Sequence, residues 1–161
     1  MKQFIIFFLF VFSVLIPSTV FFTIDMNDVE YPNDDYDNVV VNGSWNDWSG
    51  WGVTLLDSNQ DGVFEGSLEL SDGVYQYVVA VTGAGDEWSG WGHIINAPTG
   101  SACDYIPSDQ WANYGFELQG VDIYENYCAG TCNENCSSDN DSDDNDDTGS
   151  GNSGEYELVW S

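Results

Sequence analysis

Basic side chains are almost absent from this 161-residue chain: Lys2 is its only Lys or Arg, against 28 Asp and Glu, for a formal net charge of −27. Proteins that hold a phosphate backbone need cationic groups to replace its counterions, so nucleic-acid binding is excluded. Stable association with an anionic membrane surface is excluded by the same argument. Histidine is nearly absent too, His93 being the only one, and no Ser/His/Asp set is evident. Residues 20 to 127 lack a convincing helical period.

What is present begins with an apolar run at the N-terminus, Phe4 to Phe12 and then Val14, Leu15 and Ile16, just after Lys2. A short positive region followed by a stretch of this length reads as a secretory signal peptide over residues 1–19, too brief for a comfortable membrane span. Cleavage is expected near Pro17 to Thr19, although no A-x-A pattern marks it. An uncleaved N-terminal anchor is the minor alternative. No Cys lies nearby, which argues against a lipoprotein. A secreted, extracellular protein of high negative charge suits salty surroundings, where screening removes much of the self-repulsion.

All four cysteines, Cys103, Cys128, Cys132 and Cys136, fall late in the chain. Export and an even count point to two disulfides, with three connectivities open. A structural zinc site on the C-x3-C-x3-C spacing is the weaker reading. Residues 137–154 then carry six aspartates and no apolar residue. Such a segment buries too little surface to offset its ordering entropy, so a disordered, charge-extended linker is expected. Calcium sequestration is its rival, but the run shows no turn to converge ligands.

Between leader and linker, period-2 alternation broken by turn signals predicts strands. Val20, Phe22, Ile24 and Met26 share one face. So do Val39, Val41, Gly43 and Trp45, then Phe64, Gly66, Leu68 and Leu70, then Tyr75, Tyr77, Val79 and Val81. Further strands are expected over Tyr114 to Leu118 and Val121 to Tyr124. Six or seven short strands in about 110 residues predict an all-β, immunoglobulin-like β-sandwich over residues 20–136.

Four of the seven tryptophans stand in a repeated pentapeptide, Trp48-Ser-Gly-Trp51-Gly and Trp88-Ser-Gly-Trp91-Gly. Trp45 follows the core alternation, whereas the other four come after strand ends. Each pair, spaced by three, suits a tight turn that presents indoles for sugar rings, with polar neighbours such as Asn46, Asp47, Asp86 and Glu87 to meet hydroxyls. The competing reading makes Trp51 and Trp91 lids over a small core. Separately, Asp57, Asn59 and Asp61 before Gly62 match the start of a calcium loop, with Glu65 at the ninth position. Leu68 stands where an EF-hand needs Glu, and a solvated turn is slightly favoured over a structural Ca²⁺ site.

Two resemblances add to this. The stretch Val39 to Trp48, the strand Glu65 to Leu70, the turn Ser71-Asp72-Gly73 and the segment Tyr75 to Val81 resemble the glycogen-binding type of carbohydrate-binding module, including family 48. The likeness covers roughly residues 39 to 92 and implies sugar contacts at Trp48 and Trp88. Val78 replaces a lysine of that family, a departure that bears on α-glucan specificity. Tyr156 to Ser161, in turn, resemble the opening strand of family-16 glycoside hydrolases, the laminarinase and β-glucanase group. The implied reading of residues 155–161 is the first strand of a missing catalytic domain. The E-x-D-x-x-E motif of those hydrolases is absent here, so no catalysis by this polypeptide is expected.

The expected function is therefore a non-catalytic module that binds β-glucan or a related polysaccharide for a covalently linked glycoside hydrolase. The rival is a structural spacer or protein-interaction sandwich. Exposure of Trp48 and Trp88 on a shared face favours the first, and burial of both favours the second.

Overall fold

A computed structural model describes residues 17–136. The apolar stretch up to residue 16, the acidic segment 137–154 and the terminal residues 155–161 lie outside the described residues, and with them most of the expected leader, the linker and the hydrolase-like strand. Among the described residues, eight strands form two sheets with almost no helix, consistent with a β-sandwich.

β1 (Ser18–Asp25) has strict in-out alternation, so Val20, Phe22 and Ile24 are buried and Met26 follows them inward. It is the centre of a three-stranded sheet, antiparallel to β4 (Val63–Leu70) and parallel to β8 (Ile123–Cys128). Pairing starts with Ser18 opposite Leu70, two residues ahead of the expected boundary at residue 20. The second sheet runs β3 (Val53–Leu55), β2 (Asn38–Gly43), β5 (Gly73–Thr82), β6 (His93–Ile95), and β7 (Tyr114–Leu118) pairs with the first half of β5. Between the sheets lies an aromatic-rich core, with Phe22 edge-on to Tyr77 at 5.2 Å and Tyr77 stacked on Tyr114 at 5.3 Å.

Several expectations are corrected. β2 and β5 are not one-faced: Val40, Val78 and Ala80 are buried although they point away from the core shared with β1. The outer face is covered by the two tryptophan loops, as described below. Trp45 does not continue β2; it sits in a 3₁₀ turn (Ser44–Asn46) and packs half-buried against Phe22, ring centroids 6.1 Å apart. The last strand begins at Ile123, leaving Val121 exposed.

The disulfides join Cys103 to Cys132 and Cys128 to Cys136, with Cα separations of 5.4 and 5.5 Å. The first ties the loop before β7 to the segment after β8. In the chain-entropy view, cross-links of this kind stabilise by restricting the unfolded chain.

Candidate functional site

The repeated pentapeptide closes two hairpins built alike. β2 leads through residues 44–52 into β3, and β5 leads through residues 83–92 into β6, each by way of a short 3₁₀ turn. In both, the turn ends in two consecutive left-handed residues that are not glycine: Asp47 and Trp48 at φ 56° and 55°, Glu87 and Trp88 at φ 55° and 54°. Backbone of this kind is disfavoured for side chains with a Cβ and persists only where its surroundings hold it. Here Trp48 N–H donates to Gly43 O at 3.3 Å and Trp88 N–H to Gly83 O at 2.8 Å, closing each turn. Gly50 and Gly90 supply a further positive φ, 68° and 86°, that turns the chain back over the sheet. Gly52 then lies so close to the Val41 carbonyl that a Cβ there would collide with it.

Asn42 and Thr82 occupy matching places in the two hairpins, and both are fully buried. Asn42 Oδ1 accepts from Gly52 N–H at 2.8 Å and its Nδ2 donates to Gly90 O at 2.5 Å, so one side chain grips both loops. Thr82 Oγ1 accepts from Gly90 N–H at 2.9 Å and donates to the Asp86 carboxylate. Asp86 also accepts from Gly83 N–H, Ser89 Oγ and Trp91 N–H. Burial pushes its carboxyl upward, but these donors outweigh burial and hold it well below the usual carboxylate range. The loops are thus fastened across the outer face of the five-stranded sheet.

A cleft of about 690 Å³ opens on that face. Gln76 and Val78 of β5 and Ile94 of β6 line it, and Trp48, Trp91 and Trp111 come from three different loops. Asn96, Asp109 and Asn113 supply polar atoms. The Trp48 and Trp91 rings meet at 6.4 Å between centroids, tilted by 48°. Trp91 Nε1–H donates to Gly50 O at 3.0 Å. Asn113 Nδ2 donates to Gln76 Oε1 at 3.1 Å, and Trp111 N–H to Asp109 Oδ1 at 2.7 Å, so the polar lining is itself braced.

The expected sugar contacts are therefore regrouped. Trp48 (36 % exposed) and Trp88 (55 % exposed) are both accessible, but only Trp48 lines the cleft, beside Trp91. Antiparallel pairing of β2 with β5 starts the two loops at opposite ends of the sheet, so they meet by folding inward. Trp51 is exposed outside the cleft, its Nε1–H donating to Thr54 Oγ1 at 2.9 Å. Asn46 turns inward on its own loop, donating to Ser49 O at 2.9 Å, and does not line the cleft. Trp111, 64 % exposed, was missed. Its signal was present in Ser108-Asp-Gln-Trp111-Ala-Asn-Tyr, a lone Trp among polar residues with no alternation to draw it into the core.

The Asp57 loop forms a tight turn stitched by its own side chains. Asp57 accepts from the backbone N–H of Gln60, Asp61 and Gly62, and Asp61 Oδ1 from that of Val63. Asn59 Nδ2 donates to Asp61 Oδ2 at 2.8 Å. Glu65 is exposed on β4. Among the described residues, no group of three or more His, Cys, Asp or Glu side chains is placed to hold a metal ion together. No helix among them is long and apolar enough to cross a membrane.

Compared with known proteins, the chain matches no family and no curated sequence.

Proposed function

We propose that this domain is a secreted, non-catalytic carbohydrate-binding module with an immunoglobulin-like sandwich, and that the polysaccharide lies in the cleft of Trp48, Trp91 and Trp111. The observation that carries this reading is the convergence of three indoles from three loops with amide and carboxylate groups on one open groove. Sugar rings present apolar C–H faces and equatorial hydroxyls together, and such a lining meets both. A β-glucan or a related chain is the ligand class, and a linked glycoside hydrolase, with residues 137–154 as tether, is the context in which retention raises effective concentration.

Affinity electrophoresis through laminarin, mixed-linkage glucan and glycogen tests it. Wild type should be retarded by at least one of these, and Trp48→Ala or Trp111→Ala should lose most of the retardation while keeping the native thermal melt. Retardation by none of them, with the alanine variants unfolded, returns the loops to the role of a structural cover and the domain to a spacer.

A further inference from the structure

We infer that the cleft selects its polysaccharide by charge sign, favouring amino-bearing chains over neutral ones and rejecting chains with sulfate or carboxylate groups. The inference rests on the carbohydrate-binding reading and deepens it. Among the described residues, Asp109 is the one ionisable side chain in the cleft lining. Its Oδ1 is taken by Trp111 N–H, and its Oδ2 receives no hydrogen bond from the described residues. The bond from the Trp111 backbone N–H holds this carboxylate in a cleft that the Trp111 indole, 64 % exposed, also lines. A sugar ring stacked on Trp111 thus carries its substituents past a fixed negative charge.

Two further features act in the same direction. Indole faces attract ammonium groups through the ring quadrupole, and Trp is the strongest of the aromatic residues in this respect. The described residues contain no Lys or Arg, so no ammonium or guanidinium group among them is available to pair with a sulfate or a uronate. Placing such a group beside Asp109 juxtaposes like charges without a counter-ion, and the field of a chain with net charge −27 adds to the repulsion. Salt must act with opposite signs on the three ligand types: it weakens retention of an amino chain, leaves a neutral chain nearly unchanged and relieves rejection of a sulfated one.

The test uses one backbone in three charge forms, a neutral β-glucan with its aminated and sulfated derivatives at matched chain length, in affinity electrophoresis at about 20 and 500 mM NaCl. At low salt the order should be aminated, then neutral, then sulfated, with at least tenfold between the extremes, and the order should compress at high salt. Asp109→Asn should reduce the aminated-to-neutral ratio severalfold, whatever its effect on retention of the neutral chain. Glu69→Gln, on the exposed face of β4, should leave that ratio unchanged, which separates the cleft from general polyanion attraction. Equal retention of all three forms, or equal effects of the two substitutions, overturns charge selection while the carbohydrate-binding reading stands. Failure of the neutral chain to bind at either salt overturns the carbohydrate-binding reading itself.

Discussion

Trp91 Nε1 donates to the Gly50 carbonyl at 3.0 Å, so the second tryptophan loop is hooked onto the first while its ring helps to line the cleft. One residue thus has two separable duties. Trp91→Phe keeps an aromatic face but loses the donor, leaving Gly50 O to water. It should lower stability by about 1 kcal/mol, the worth of a typical hydrogen bond, with partial retention of glycan. Trp91→Ala loses both. Thermal melts beside affinity electrophoresis check the split, and equal glycan loss in both variants would show that the ring face contributes nothing.

Trp45 and Trp48 are three residues apart and should behave oppositely. Trp45 covers Phe22 and is half-buried, so Trp45→Ala should cost about 3 kcal/mol, the low end for a large aromatic, and leave binding intact in the surviving folded fraction. Trp48→Ala should spare the melt and weaken binding by about 2 kcal/mol, as truncation of a contact residue does. Denaturant titration and glycan retardation on the same samples distinguish them.

These residues also show how far pattern reading reaches. The alternation in β1 and β4 is legible because each has one buried face, so a period of two survives in the sequence. In β2 and β5 the same period is masked, because Val40, Val78 and Ala80 on the opposite face are buried as well. Their unbroken apolar runs were the sign of two covered faces. The repeated pentapeptide announced the loops, but not which indoles meet. That depends on the antiparallel pairing of β2 with β5, a long-range fact that places Trp91 beside Trp48 and leaves Trp88 outside the cleft. Trp111 escaped because it has no repeat.

Asp86 ties the second loop together as a carboxylate. Since its folded pKa is depressed, its contribution is present above the unfolded value, about 4, and is lost as the pH falls through the folded value. Asp86→Asn should lower Tm by roughly 4 °C at neutral pH, the shift that about 1 kcal/mol produces in a domain of this size. The gap should narrow steadily as melts are taken from pH 5 toward pH 2. A gap independent of pH would mean that the charge is immaterial and only shape matters.

The Asp57 turn is held by three backbone donors on one side chain. Asp57→Ala removes their acceptor and should cost about 1–2 kcal/mol. Calcium bound to the folded loop would raise the wild-type Tm by mass action, whereas a turn held by these bonds alone melts alike in millimolar Ca²⁺ and in chelator. Melts of both proteins under both conditions decide between them, and the geometry leads us to expect no calcium shift.

Glu125 is buried on the inner face of β8, and Tyr77 Oη donates to its Oε2 at 2.8 Å. Burial raises the carboxyl above its usual range; the Tyr77 bond opposes this and the Glu134 charge adds to it. Burial, with the Glu125 charge behind it, also drives the Tyr77 hydroxyl well above its ordinary value, so it stays a donor. For a carboxyl raised on folding, the stabilising contribution is fully present below the unfolded pKa and is lost as the pH rises through the folded one. The ionised group is therefore a burden at neutral pH. Glu125→Gln retains an acceptor for Tyr77 without the charge, so it should raise Tm by a few degrees near pH 8, with the advantage vanishing near pH 4. Tyr77→Phe instead strips a buried carboxylate of its donor and should cost about 2–3 kcal/mol at pH 8. That loss should shrink on acidification and also in the Glu125→Gln background, because a neutral partner is cheaper to leave unpaired. Melts of the four proteins at pH 4, 6 and 8 complete the cycle, and a Tyr77→Phe cost that is the same at every pH would show that Glu125 does not change protonation state in the folded core between pH 4 and 8.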